Sequence, residues 1–300
     1  MLKKRILCVA FIILLLTSHI CFATSSEEIL PAFEVPDFVV KLLNIAQEEL
    51  GYTEGSDGST KYGAWYGDRT AEWCAEYLCW CVNKTDERYG TQLLKKQYPL
   101  YGATNVGLNW FLKEGRFVAR NGIVNGWGSQ WFNSSGKDIE LNEYIPQPGD
   151  WVFFSYTPSG DTTHVAMVEK ALKSEDGIYI QVFEGNMPDK VQRSLYALND
   201  WRIIGYGTVH DVAGVAMRHG NEGQKVTQLQ KELSALNLLD TYSINGVYDN
   251  KTENSIKHFQ IENKLTATGI ADKDTQLLIK NLLNQNMQED NSFWIVEGGI

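Results

Sequence analysis

The sequence predicts an α+β domain followed by a small three-helix bundle, and three observations carry that prediction. Helical periodicity dominates from Asp37 to Lys113, whereas short β-branched and aromatic runs dominate from Trp151 to Val209. Helices first and strands second is the pattern of an α+β domain. From about Val215 the aromatic residues thin out and apolar residues recur at helical spacing. A chain of 300 residues also exceeds one typical domain, so two units are expected.

Residues 1–23 read as an export signal. Lys3, Lys4 and Arg5 form a basic start, Ile6 to Leu16 is an unbroken apolar run, and Cys21-Phe22-Ala23 offers small residues for cleavage. The run is shorter than the roughly 20 residues a membrane span needs. An uncleaved anchor through Ala23 is the alternative. A lipid-anchored start is excluded because His19-Ile20 precede Cys21. Losing the three basic residues of the signal takes the net charge from −10 to −13, with 24 basic and 37 acidic residues remaining. Such a chain does not suit nucleic acid or an anionic membrane surface, which reward clustered Lys and Arg. No membrane contact is expected after signal cleavage, and the protein is expected to act outside the cell as a monomer.

Residues 24–36 form a polar, proline-bounded leader expected to be mobile. Asp37 can cap a helix to about Leu50, with Phe38, Leu42, Ile45, Ala46 and Leu50 on its apolar face and Gly51 as its stop. A second helix starts at Cys74 and runs to about Val82. A third covers Ala103 to Lys113. Residues 120–148, rich in Gly, Asn and Trp, read as a partly irregular excursion. Strands are predicted at 151–156, 163–169, 179–184 and 203–209. The C-terminal helices fall at 222–236, 251–261 and 272–283, and the tail 284–300 is polar with a final apolar patch.

Cys74 carries the chemistry. A cysteine opening a helix lies near the unpaired N–H groups of the first turn and the positive end of the helix dipole, which favours the nucleophilic thiolate. His164, at the head of an apolar strand, can serve as its base. Glu184 and Asn186 stand two apart at a strand end, so either can orient the imidazole. Cysteine, histidine and an acid or amide make the set needed for acyl transfer through a thioester. Cys79 and Cys81 read as small buried groups. No Cys-x-x-Cys pair suggests zinc, and no cofactor is required.

At these residues the chain resembles the CHAP family, the amidase/peptidase module of the papain-like superfamily. The resemblance rests on Lys61-Tyr62-Gly63, Trp73-Cys74-Ala75-Glu76-Tyr77, Pro148-Gly149-Asp150-Trp151-Val152, His164-Val165-Ala166-Met167-Val168, Glu184-Gly185-Asn186 and Gly205-Tyr206-Gly207. It implies a papain-like (NlpC-like) domain over 37–210, with N-terminal helices packed on an antiparallel sheet. It implies Cys74 as nucleophile, His164 as base and Glu184 as the orienting group, with Asn186 in support. The family cleaves amides of bacterial peptidoglycan and, more rarely, of glutathionylspermidine. One departure stands out. Many papain-like enzymes place glutamine just before the nucleophile, whereas here Glu72 and Trp73 precede Cys74, so the oxyanion hole is expected to rest on backbone N–H groups.

Residues 215–283 resemble a second family, the three-helix peptidoglycan-binding module. The match runs through Ile244-Asn245-Gly246-Val247 to Thr252, then Ile256, Phe259-Gln260, Leu265, Thr268-Gly269 and Thr275. Together the resemblances imply a secreted, wall-associated peptidoglycan hydrolase. It is either an N-acetylmuramoyl-L-alanine amidase or a peptide endopeptidase. The competing reading is a wall-binding protein whose catalytic module is silent. Trp65, Tyr66, Trp127, Trp131 and Trp151 are candidates for sugar contacts, at least half of them expected in the core. Some CHAP domains bind calcium. The loop Glu54 to Ser59 could supply oxygen ligands, though it lacks the carboxylate density of a dedicated site.

Overall fold

The computed structural model describes residues 26–157 and 160–297, with side chains described as far as Asn286. The expected signal, residues 1–23, lies outside the described residues. Among the described residues no helix is long and apolar enough to cross a membrane.

The architecture is α+β. Four helices precede most of the sheet: α1 (Asp37–Glu48), α2 (Lys61–Tyr66), α3 (Cys74–Tyr89) and α4 (Thr104–Lys113). Pro36, not Asp37, takes the N-cap position of α1, and Asp37 instead pairs with Lys41 one turn on at 2.6 Å. Val39, Leu42, Ile45 and Ala46 form the buried stripe of α1, so Val39 lies deeper than Phe38. Helix α3 continues past Val82 to Tyr89. Its last turns are polar, and tertiary partners hold them: Arg88 donates to both carboxylate oxygens of Glu48, and Asp86 accepts from the backbone N–H groups of Leu93 and Leu94.

The main sheet is antiparallel. Its path runs β2 (Phe117–Ala119), β9 (Ile203–Gly207), β5 (Trp151–Phe154), β6 (His164–Ser174), β7 (Gly177–Glu184) and β8 (Gln192–Ala197). The described part of the leader, expected to be mobile, contributes a strand. Its residues Glu27–Ile29 form β1, which pairs with Ala171 to Lys173 of β6, where β5 is too short to reach. The segment 120–148 holds β3 (Ile123–Val124) and β4 (Gly128–Phe132), which pair with each other. β10 (Ala213–Val215) completes this small second sheet on β4.

Helices α1 and α3 pack on one face of the main sheet over Trp73, Tyr77, Trp151, Phe153 and Phe183; Val152, Phe154, Val168, Val182 and Tyr206 fill the other. The alternation of strand residues between the two faces produces both cores.

The C-terminal helices are α5 (Gln224–Ala235), α6 (Asn250–Glu262) and α7 (Lys273–Glu297), the last running through most of the predicted tail. Two glutamines set their connections. Gln230 Nε2 donates to Asn245 Oδ1, Val247 O and Thr252 Oγ1, and its Oε1 accepts from the N–H groups of Asn245 and Gly246. Gln260 repeats the device on Thr268, Ile270, Thr275 and Gly269. Asp249 and Asp272 then cap the helices that follow, accepting from the N–H groups of Thr252 and Thr275.

This bundle shares one continuous apolar core with the α+β part. Met217 and Ala271 exchange backbone hydrogen bonds of 3.1 and 2.9 Å, Gln276 Nε2 reaches Val215 O at 2.9 Å, and Lys273 pairs with Asp138 at 2.8 Å. Gly223 sits against the backbone of Lys113, where a Cβ would fall 2.4 Å from the carbonyl oxygen, so only glycine permits the approach.

Candidate active site

Cys74 is the first residue of α3, and no side chain caps that helix. The N–H groups of its first turn therefore have no side-chain acceptor, as an oxyanion site requires. Trp73 anchors the helix start. Its indole N–H donates to Glu54 Oε2 at 2.9 Å, and its ring stacks on Tyr62 at 5.4 Å. Tyr62 in turn donates to Glu49 Oε2 at 2.6 Å. Across the site, Gly185 lies flat against Trp73, with a Cβ there only 2.6 Å from the indole. The missing side chain lets the end of β7 close on the helix start.

His164 opens β6, and its ring lies between the Cys74 thiol and the Glu184 carboxylate. Nε2 is 2.8 Å from Glu184 Oε2, and the Cys74 thiol lies near enough to act on the same ring. Burial alone would lower the imidazole pKa. The hydrogen bonds and charges of Cys74 and Glu184 outweigh it and raise the value to about 9. Burial would likewise raise the Glu184 carboxyl, yet the imidazole and the surrounding donors hold it below its ordinary value. Cys74 is 4 % exposed and His164 5 %, while Glu184 is fully buried. The two reacting side chains thus keep only a narrow edge toward solvent, and the carboxylate stays dry.

Strand β8 supplies the donors around Glu184, and the sequence reading had no strand there. Tyr196 donates to Oε2 at 2.9 Å, Gln192 to Oε1 at 3.2 Å, and Ser194 also to Oε1. Gln192, Ser194 and Tyr196 alternate along β8, so all three face one side. That alternation was the signal available in the sequence.

Glu184 and Asn186 do not point the same way. β7 ends at Glu184, and Asn186 adopts a left-handed conformation with φ of 62°. The strand alternation stops there, and the Asn186 amide donates to Glu72 Oε2 rather than approaching His164. Glu72 is exposed and carries no ion pair among the described residues.

Cys79 and Cys81 are fully buried. Burial pushes the Cys79 thiol up to about 12 and the Cys81 thiol well above its ordinary value. Glu76, in the first turn of α3, is also buried, and loss of water raises its pKa to about 7 with the charge of Asp68 adding to the effect. Among the aromatic candidates, Trp127, Trp131 and Trp151 belong to the core, whereas Trp65 is half-buried and Tyr66 is exposed. The loop from Glu54 to Ser59 does not fit a calcium site. Glu54 is engaged by Trp73, Asp57 Oδ1 accepts from Ser59, and no group of three acidic, histidine or cysteine residues is gathered to hold a metal among the described residues.

Comparisons with known proteins place these residues in context. None of the curated proteins is a significant match to the chain. Among solved structures, a periplasmic domain of the EpsAB fusion protein of the Vibrio vulnificus type II secretion system is 14% identical. That likeness covers 44% of this chain and 56% of that one at a TM-score of 0.20, so it spans little more than half of that structure. A peptidoglycan-binding protein from Clostridioides difficile, in complex with glutamine hydroxamate, is 19% identical over 47% of this chain and 78% of that one, with a TM-score of 0.21. Ly7917 with the hydrolyzing product of MDP is 18% identical over 62% and 66%, with a TM-score of 0.30. At these scores the likenesses carry no argument. Family models are more specific. Residues 65–186 match the CHAP domain and residues 222–278 the putative peptidoglycan binding domain. Cys74, His164 and Glu184 all fall inside the first match, and the paired glutamines Gln230 and Gln260 inside the second; the chain thus carries a segment that matches the CHAP domain, followed on its C-terminal side by one that matches the putative peptidoglycan binding domain.

Proposed function

We propose that the protein is a secreted peptidoglycan hydrolase that cleaves amide bonds of the bacterial wall. Residues 37–210 form the catalytic unit, and residues 215–283 hold the wall polymer near it. The observation that carries this reading is the His164 ring held between the Cys74 thiol and the Glu184 carboxylate at the start of α3.

The chemistry follows from that arrangement. Cys74 sulfur attacks the amide carbonyl carbon, and the oxygen takes the charge beside the first-turn N–H groups of α3. As the C–N bond breaks, His164 gives its proton to the departing amine, leaving a thioester on Cys74. A water then adds to the thioester, passing its proton to His164. The C–S bond breaks, the carboxylic acid leaves and the sulfur is restored. Glu184 keeps the ring oriented and favours the imidazolium throughout.

Cys74→Ala and Cys74→Ser are expected to abolish lysis of purified walls while circular dichroism stays unchanged. Lysis retained by either variant overturns the assignment. Iodoacetamide at neutral pH is expected to label Cys74 far faster than Cys79 or Cys81, which are fully buried. Equal slow labelling of all three would instead mark a silent binding protein.

A further inference from the structure

A groove of about 540 Å3 opens between α4 and the turn that carries β3, and it reaches Thr162 on the loop before His164. Asn105, Leu108, Asn109 and Leu112 line one wall, at the spacing of a single helix face. Asn121 and Asn125 stand on the other wall, around Ile123, which is 59 % exposed. The floor is Ile204 and its neighbours at the start of β9.

The groove reaches the active site along two paths. Its rim includes Thr162, two residues before His164, and Thr104 at the head of α4 donates to the Thr162 carbonyl at 2.8 Å. The loop that aims His164 is therefore pinned to the helix that lines the groove. The sheet gives the second path. Ala119 pairs with Gly205, Gly205 with Phe153, and Phe153 with Val165. Three strand spacings span about 14 Å. Ala119, in the lining, thus lies about that far across the sheet from Val165, the neighbour of His164.

The lining selects a ligand class. Asn105, Asn109 and Asn125 make no side-chain hydrogen bond among the described residues, so their amides are open to pair with an acetamido group. Leu108, Leu112 and Ile123 offer an apolar surface to the C–H face of a pyranose. The groove does not suit an anion, because Arg120 is already engaged by Asn142 Oδ1 at 3.2 Å and the Asp200 carbonyl at 3.3 Å.

We propose that this asparagine-lined groove is a subsite for an N-acetylated amino sugar of the wall glycan. The inference rests on the peptidoglycan hydrolase reading and deepens it. A glycan seated there brings the amide nearest the sugar to Cys74, and favours that bond over those further along the peptide.

The test compares a disaccharide-peptide with the same peptide lacking sugar. The wild-type protein is expected to prefer the sugar-bearing substrate in kcat/KM. In the Asn105→Ala/Asn109→Ala double variant that preference falls about tenfold, the loss of two hydrogen bonds. Both positions are exposed on a helix, where alanine favours folding. In the second arm, N-acetylglucosamine tetramer is titrated into the Cys74→Ala protein. The side-chain amide resonances of Asn105, Asn109 and Asn125 are expected to shift. An unchanged preference in the double variant, or shifts confined to residues 222–278, overturns the subsite. Failure of the wild-type protein to lyse purified walls overturns the hydrolase reading itself, so the two failures are distinct.

Discussion

His164 Nε2 and Glu184 Oε2 meet at 2.8 Å in a part of the protein where the carboxylate has no contact with water. Against burial, which lowers it, Cys74 and this carboxylate together raise the imidazole pKa to about 9. Because the folded value exceeds the ordinary one of about 6.5, the pair stabilises the fold fully below that pH, and the contribution fades as pH rises through 9. Glu184→Gln removes the charge. The alkaline limb of kcat/KM is expected to move from near pH 9 toward 6.5, with an activity loss on the order of 100-fold. A pH–rate profile of both proteins checks it, and an unmoved limb contradicts the role of Glu184.

Tyr196 donates to the same carboxylate oxygen that holds His164. Without that donor the carboxylate charge is less satisfied and pulls harder on the imidazolium. Tyr196→Phe is therefore expected to move the alkaline limb upward, opposite to Glu184→Gln, while lowering kcat several-fold through looser positioning. Nuclear magnetic resonance titration of His164 in the two variants reads the opposed signs directly.

Asn186 binds Glu72 and not His164. Asn186→Ala should leave the pH limbs of activity in place. Glu72→Gln removes a negative charge two residues from the nucleophile, where an oxyanion develops. Its kcat is expected to rise by about two- to fivefold, corresponding to the weak effect of an exposed charge. Steady-state kinetics on a soluble muropeptide decides between a rise and a fall.

Gln230 satisfies five polar groups from inside the bundle. Gln230→Ala leaves buried N–H and C=O groups without partners and is expected to cost about 2–4 kcal/mol. Chemical denaturation should register the loss as a lower midpoint.

The helix start at Cys74 was legible because an apolar, aromatic stripe follows the cysteine, and His164 was legible because it heads an unbroken apolar strand. What escaped the sequence was held by tertiary contacts. The polar end of α3 shows no periodicity and depends on Glu48 and on the chain near Leu93. The leader strand exists because β6 outruns β5. Strand spacing implied a common direction for Glu184 and Asn186, but one residue at positive φ undid it. The donors of β8 were hidden because Gln192, Ser194 and Tyr196 have no meaning until β7 lies beside them.

The unbroken core between the two parts of the chain makes the molecule a caliper. With Gln276 bound to the Val215 carbonyl of β10 and Lys273 tied to Asp138, the C-terminal helices are fastened to the α+β part. On the proposed reading, a polymer gripped by them would meet Cys74 at one offset and one angle. The cutting position would then follow the repeat of the wall lattice rather than diffusion on a tether.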